Sequence, residues 1–150
     1  MLACDRRMTG DAMSRSRVLL ADDHAATLQS WRALLEPAFD VVGSVGDGRA
    51  LVDAYERLRP DVIVTDIGMP ELNGIAAAEL IVRRHGGARI VIATVHAERA
   101  MLRRGLAAGA LGYVLKVRAG EDLVPAIQAV LRGDVYISPF PPIDDAFGPG

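Results

Sequence analysis

Short apolar runs alternate with segments of helical periodicity along most of the chain. The apolar runs are predicted strands, and they read RVLLADD, DVVGSVGDG, DVIVTD, ARIVIATVH and LGYVLK. The segment after each run is a predicted helix; the first of these carries Leu28, Trp31 and Leu34 at helical spacing. Pro125 is expected within about the first turn of the fifth helix, where proline is tolerated. The pattern predicts five βα units.

The predicted strands are apolar on both faces, which is typical of a parallel sheet covered by helices on both sides. Because crossovers between parallel strands are right-handed, we predict an α/β doubly wound (βα)5 three-layer sandwich with the flavodoxin-like strand order 2-1-3-4-5. This domain is assigned to residues 18–138. Residues 1–17 are polar and Arg-rich, and we expect a disordered leader there; residues 139–150 are expected to be a flexible tail rich in proline and glycine.

Composition excludes several classes of protein. A net charge of −2 leaves no basic footprint, so we expect no nucleic-acid contact by this chain itself. The single cysteine, Cys4, excludes an internal disulfide framework and a cysteine zinc site. No apolar run has membrane-spanning length and the N-terminal segment lacks the apolar core of a secretory signal, so we expect a cytoplasmic protein without membrane contact. Among 17 basic residues only Lys116 is a lysine.

Residues with chemical potential gather where four of the predicted strands end. The first strand ends in Asp22 and Asp23, the third in Asp66, the fourth in Thr94 and the fifth in Lys116. Each has an ordinary structural explanation: a helix cap, a turn residue, β propensity or a solvated strand end. Ligands of doubly wound sheets, however, bind beyond the carboxyl ends of the strands, at the switch in strand order. The gathering of these carboxylates, the hydroxyl and the lysine at the ends of adjacent strands therefore favours a functional site.

The residue types at this edge suit phosphoryl transfer. Carboxylates placed together repel one another, by about 4 kcal/mol for two charges about 4 Å apart at an effective dielectric constant near 20. They need a cation, and oxygen ligands without His or Cys select a hard one, Mg²⁺ or Mn²⁺. Lys116 adds a positive charge for an anion, and Thr94 adds a neutral donor. Asp66 is the candidate nucleophile, which would form an aspartyl phosphate.

The segments LLADDH, VIVTDIGMPELNG, IATVH and GYVLK resemble, in this order, the signature segments of the response-regulator receiver domain of two-component signalling. The resemblance covers about residues 18–138. It implies that Asp66 accepts a phosphoryl group from a sensor histidine kinase. It also implies that Mg²⁺ is held by Asp22, Asp23, Asp66 and the backbone carbonyl of Gly68.

The same resemblance implies further roles around the site. Thr94 and Lys116 would contact the phosphoryl group, and Tyr113 would turn inward when Thr94 moves toward it. The turn that shapes the site is matched by Met69, Pro70 and Gly74. The chain is expected to be a phosphoacceptor with at most slow self-dephosphorylation, rather than an enzyme.

A finer likeness concerns the output. The segment AAGALGYVLK and the later AIQAVLRGDVYISP are similar to receivers that precede a LuxR-type helix-turn-helix, as is His24 after the acidic pair. This implies the regulatory domain of a transcriptional regulator, which switches the surface of the fourth helix, fifth strand and fifth helix, often by homodimerisation. Any DNA contact would come from a helix-turn-helix domain beyond this chain. A part of a longer regulator is one expectation, and a stand-alone receiver with a short tail is the other.

Other functions fit the residues less well. A phosphatase of the haloacid-dehalogenase type needs a second aspartate two residues after the nucleophile, and that position is Gly68. A flavodoxin-like nucleotide binder needs a Gly-, Ser- and Thr-rich loop after the first strand, and the segment DDHAAT is acidic there. A phosphorylation-independent docking module stays open, because Val95 replaces the small residue common in the family and would crowd the path to the phosphate.

The remaining polar and aromatic residues have simpler interpretations. His24 and His96 flank the site and are expected to make local hydrogen bonds or lie at the surface. His85, near the end of a helix, is a favourable charge on the helix dipole. Trp31 is interpreted as helix packing.

Overall fold

Strands and helices alternate through residues 15–140, the part of the chain that the computed structural model describes. Most of the predicted leader and tail lies outside these residues. The strands are β1 (Arg17–Ala21), β2 (Asp40–Val45), β3 (Val62–Thr65), β4 (Ile90–Thr94), β5 (Gly112–Leu115) and β6 (Tyr136–Ile137). The helices are α1 (Ala25–Leu35), α2 (Gly48–Leu58), α3 (Gly74–Arg84), α4 (Arg99–Ala107) and α5 (Ala119–Leu131), with a 3₁₀ turn at Lys116–Arg118.

All strands join one parallel sheet in the order β2-β1-β3-β4-β5-β6. One apolar core lies between the sheet and helices α2, α3 and α4, and a second lies between the sheet and helices α1 and α5. The predicted three-layer fold and the order 2-1-3-4-5 are confirmed. Strands β3, β4 and β5 are buried along their whole length, which explains their uninterrupted apolar sequences.

The two edges of the sheet differ from the prediction. Strand β2 has only half-buried and exposed positions, because it has a neighbour on one side only. At the other edge lies β6, a sixth strand that pairs in parallel with β5, Tyr136 opposite Gly112 and Ile137 opposite Tyr113. Its two residues, followed closely by Pro139, are too few for a hydrophobic period. The sequence pattern therefore predicted no strand there.

Helix α5 also begins differently. It starts at Ala119, directly after the 3₁₀ turn, so that Pro125 lies in the second turn and not in the first. Since proline has no N–H group, the carbonyl of Glu121 loses its helical partner. Within residues 15–140, no helix combines the length and the apolar character that crossing a membrane requires.

Candidate functional site

Two buried carboxylates and a lysine meet at the carboxyl edge of the sheet. Asp22 follows β1 and Asp66 follows β3, and their exposed fractions are 0% and 7%. Lys116 follows β5, and its Nζ lies 2.7 Å from Oδ2 of Asp22 and 3.4 Å from Oδ2 of Asp66. Adjacent strands β1 and β3 set the two acids side by side, and the long lysine side chain reaches both. The ammonium group thus lies between two carboxylates that would otherwise repel each other.

The two oxygens of Asp22 have different surroundings. Its Oδ1 accepts a hydrogen bond of 2.8 Å from the backbone N–H of His24. Its Oδ2 is buried and lies 2.7 Å from Nζ of Lys116, a charge-assisted contact. Because a carboxylate oxygen has two lone pairs, Oδ2 can also bind a further cation beside the lysine.

A second acid extends the cluster toward solvent. Within residues 15–140, ligand atoms of Asp22, Asp23 and His24 lie within 4.8 Å of one another, whereas Asp66 is not part of this group. The imidazole Nδ1 of His24 is 3.1 Å from Oδ1 of Asp23. Gly68 is exposed, with no atom within 4 Å of the position of a Cβ. Two neighbouring carboxylates, one of them fully buried, fit a hard divalent cation.

Burial controls the charge of Asp66. Removal from water raises the pKa of this carboxyl above its ordinary value, and the neighbouring charge of Asp22 raises it further. Lys116 and the backbone N–H of Ile67 oppose this change, but burial is the largest influence. The ionised carboxylate therefore sits in an environment that penalises its charge. Neutralisation by bond formation or by a cation would relieve that penalty.

Thr94 and Tyr113 both contact the main chain of His96. Thr94 is buried at the end of β4, and its Oγ1 accepts a hydrogen bond of 3.2 Å from the N–H of His96. The Tyr113 hydroxyl donates a hydrogen bond of 2.9 Å to the carbonyl of the same residue. Burial, with the charge of Glu98, raises the pKa of Tyr113 to about 12, so its hydroxyl stays a donor. Tyr113 lies inside the molecule; the movement expected of it stays a prediction.

Val95 lies between Thr94 and His96 in the sequence, but its side chain is directed away from their contact. Its side chain is 71% exposed, so it points mainly to solvent and does not fill the edge of the sheet. The expected crowding of the site by Val95 is therefore not visible in this arrangement.

The turn after Asp66 is held by main-chain contacts. Met69 is buried and Pro70 exposed. The carbonyl of Pro70 accepts hydrogen bonds from Leu72 N at 2.7 Å and from Gly48 N at 3.4 Å. A Cβ on Gly48 would come within 1.9 Å of the carbonyl oxygen of Leu72, so the backbone at the start of α2 packs directly against this turn.

Gly74 allows the turn to close on the candidate phosphoacceptor. Its N–H donates a hydrogen bond of 2.8 Å to the carbonyl of Ile67. A Cβ at this position would lie 1.8 Å from the carbonyl oxygen of Asp66, a separation that no side chain permits. Glu71, in the same turn, has a left-handed φ of 69°. The backbone that carries Asp66 is thus set by a close approach that only glycine allows.

Two residues at the site were missed by sequence reasoning. Trp31 does pack as a buried helix residue, but the Nζ of Lys116 also lies 5.7 Å from the centroid of its ring. The buried hydroxyl of Thr65 donates a hydrogen bond of 2.9 Å to the carbonyl of Asp66. Neither residue carries a local sequence signal for these contacts, because both contacts depend on tertiary placement.

The histidines make the local contacts expected of them. His24 pairs with the acids beside it, and His96 Nδ1 lies 3.3 Å from Oε1 of Glu98. His85 caps α3, and its ring is tilted against that of Tyr55, with 5.1 Å between the ring centroids.

Comparison with known protein families identifies a family with this fold. Residues 18–128 match the sequence model of the response regulator receiver domain. The match covers well over half of the chain, and the chain belongs to this family.

Its curated relatives are transcriptional regulators. The transcriptional regulatory protein DegU of Brevibacillus brevis is 31% identical over 128 residues, which are 84% of this chain and 54% of that protein. The uncharacterized transcriptional regulatory protein YxjL of Bacillus subtilis (strain 168) is 37% identical over 120 residues, 79% of this chain and 55% of that protein. The chain therefore spans little more than half the length of these relatives.

Solved structures give the same family. A LuxR-family two-component response regulator from Aurantimonas sp. SI85-9A1 superposes with a TM-score of 0.80 at 37% identity, covering 84% of this chain and 91% of that chain. The isolated receiver domain of RcsB from Salmonella enterica serovar Typhimurium, determined with the phosphomimetic BeF3⁻, superposes with a TM-score of 0.76 at 31% identity, covering 83% and 94%.

The close approach at Gly74 predicts a strong effect of a single methyl group. Gly74→Ala should lower the free energy of unfolding by at least about 1–3 kcal/mol, because the Cβ collides with backbone and not with a movable side chain. Gly86→Ala is the matched control, since no atom lies within 4 Å of its Cβ position. Urea denaturation of both variants measures the difference. Equal midpoints for the two variants would contradict the geometry described for the turn.

The raised pKa of Asp66 predicts a pH-dependent cost in stability. The folded protein binds this proton more tightly than the unfolded chain, so the free energy of unfolding falls as pH rises from the ordinary carboxyl pKa through the raised one. In metal-free buffer, Asp66→Asn should therefore melt at a higher temperature than the wild type at pH 7. The difference should shrink below the ordinary carboxyl pKa. Asp53→Asn, at an exposed position of α2, controls for a general loss of negative charge.

Proposed function

We propose that this domain accepts a phosphoryl group on Asp66 from a sensor histidine kinase and uses it to switch an output surface. The observation that carries the proposal is the ammonium of Lys116, 2.7 Å from Asp22 and 3.4 Å from Asp66 at the edge of the sheet. A cation shared by two buried carboxylates balances the negative charge of the site while one carboxylate becomes an acyl phosphate. Membership of the receiver family supports the same assignment.

The transfer requires little chemistry from the protein. One carboxylate oxygen of Asp66 forms a bond to phosphorus as the phosphorus–nitrogen bond of the kinase phosphohistidine breaks, and the imidazole nitrogen keeps the electron pair. Lys116 then has a phosphoryl oxygen within reach of its charge, and the hydroxyl of Thr94 is available as a neutral donor at the end of β4. Positioning and charge balance supply the catalysis. In this sense the domain is a phosphoacceptor and not an enzyme acting on other molecules.

Mg²⁺, or Mn²⁺, is the proposed cofactor. Asp22 and Asp23, with Asp66 and the backbone carbonyl of Gly68, would hold it, and its charge would neutralise the phosphoryl oxygens. The closeness of Asp22 and Asp23, whose ligand atoms lie within 4.8 Å of each other, supports this ligand assignment.

A groove adjoins the site at Lys116. It has a volume of about 600 Å³, lies between α1 and the start of α5, and is lined in part by Thr27, Ser30, Trp31, Lys116 and Gly120. The side chain of Lys116 is 19% exposed. We propose this groove as part of the surface on which the kinase docks.

The proposed output is transcriptional. The relatives are transcriptional regulators longer than this chain, which supports a regulatory domain whose DNA contacts belong to other segments. RcsB, a structural relative, is described as dimers bound to DNA. For this protein we propose a homodimer linked to phosphorylation, formed through the surface of α4, β5 and α5, in the cytoplasm.

The direct test is intact-mass measurement after incubation with Mg²⁺ and acetyl phosphate or phosphoramidate. The wild type should gain one phosphoryl group, and Asp66→Asn should gain none. Val95→Ala should behave like the wild type, because the Val95 side chain points to solvent. Omission of Mg²⁺ should abolish the adduct.

Other results would change the assignment. An adduct on both the wild type and Asp66→Asn would mean that a different carboxylate is the acceptor. No adduct on either, with Mg²⁺ binding demonstrated by titration, would favour a phosphorylation-independent docking module.

A further inference from the structure

A third buried carboxylate lies outside the site described above. Asp122, in the first turn of α5, is 2% exposed. Four hydrogen bonds satisfy it: Arg118 Nε at 2.7 Å, Arg118 Nη2 at 3.2 Å, the Tyr136 hydroxyl at 2.8 Å and the Ser138 hydroxyl at 2.7 Å. These donors hold the pKa of this carboxyl below its ordinary value, the Arg118 contact most strongly. Asp122 is therefore an ionised and fully used acceptor.

The contacts of Asp122 lead back to Lys116 from both directions along the chain. Before the lysine, the N–H of Leu115 donates a hydrogen bond of 3.1 Å to Ser138 Oγ. The hydroxyl of Ser138 in turn donates a hydrogen bond to Asp122. After the lysine, Arg118 binds the same carboxylate with two nitrogens. One buried carboxylate thus clamps both ends of the segment 115–118.

The clamp includes the last strand of the sheet. Strand β6 pairs with β5 through Tyr136 N to Leu111 O at 3.0 Å, and Ser138 N donates to Tyr113 O at 2.9 Å. Tyr136 and Ser138 then turn their hydroxyls to Asp122. A strand of two residues has little ladder of its own, so these side-chain bonds secure it.

A buried carboxylate is a costly way to attach a strand, because well-packed apolar residues do so without desolvating a charge. What the carboxylate adds is direction: with four donors it fixes the orientation of every group that binds it. The group most in need of a fixed position is the lysine between the two clamped ends, because its ammonium must lie within reach of two carboxylates at once.

We propose that Asp122 and Ser138 are positioning residues for Lys116, and that β6 is thereby part of the support of the phosphoryl site. This inference rests on the proposed function and specifies a structural coupling within the same site. A disturbance of β6, by a partner or by chain that follows it, would then reach the lysine through Ser138 and Leu115.

The test separates the lysine from the metal ligands. Ser138→Ala removes the bonds to Leu115 and Asp122, and Ser44→Ala, at an exposed position of the opposite edge strand, is the matched control. Titration with Mg²⁺ alone, then with beryllofluoride at saturating Mg²⁺, is followed by fluorescence of Trp31, the single tryptophan, whose ring lies beside the lysine ammonium.

We expect Ser138→Ala to raise the Kd for beryllofluoride about three- to tenfold, the usual effect of one lost hydrogen bond. The Kd for Mg²⁺ should change less than the Kd for beryllofluoride, because Ser138→Ala removes no contact of a proposed metal ligand and reaches Asp22 and Asp66 only through Lys116. Tyr136→Phe, which loses a contact of Asp122 but keeps the Leu115 bond, should have a smaller effect. Thermal melting of each variant verifies that it is folded at the temperature of the titration.

Two outcomes would overturn the inference. One is an unchanged beryllofluoride Kd in folded Ser138→Ala, and the other is an equal change in both Kd values, which indicates general loosening. If the wild type itself binds no beryllofluoride, the proposed function fails, and hydrogen–deuterium exchange decides the inference alone. Faster exchange of residues 115–118 in Ser138→Ala than in Ser44→Ala would then support the clamp, and equal exchange would refute it.

Discussion

The repulsion between two buried carboxylates is the constraint around which the edge of this sheet is organised. Strand order places β1 beside β3, so Asp22 and Asp66 are neighbours. Both side chains are almost fully shielded from solvent. Two charges about 4 Å apart repel by roughly 4 kcal/mol at an effective dielectric constant near 20. The ammonium of Lys116 relieves this repulsion, and its placement therefore matters to the stability of the domain as well as to its chemistry.

From this edge a route leads into the body of the domain. Thr94 and Tyr113 are bound to the N–H and the carbonyl of one residue, His96, so displacement of either changes the contacts of the other. A phosphoryl group carries about −1.5 to −2 charges near neutral pH. To move a population from 1:99 to 99:1 it must favour one state by about 5.5 kcal/mol. Contacts with Lys116 and a metal ion, both charge-assisted, are of the kind that can supply such a difference.

The sequence predicted the elements that have a local hydrophobic pattern. It did not predict the strand and the contacts that depend on residues far away in the chain. Strands β3, β4 and β5 are buried throughout, so their apolar runs identify them, and the residues that end them could be located at one edge. Strand β6 has two residues and exists because β5 and Asp122 hold it. Asp122 itself looks like any acid in the first turn of a helix, since its partners Tyr136 and Ser138 are 14 and 16 residues away.

The carboxylates Asp66 and Asp122, for which different roles are proposed, also lie in different environments. Both are buried acids near the same lysine segment, yet the pKa of Asp122 lies below its ordinary value and that of Asp66 above it. Four donors satisfy Asp122, which leaves it no capacity for a new bond. Asp66 has a lysine at 3.4 Å and a burial penalty that its present contacts do not offset. A carboxylate whose charge is penalised gains most from a new partner, and this difference supports Asp66 as the proposed phosphoacceptor.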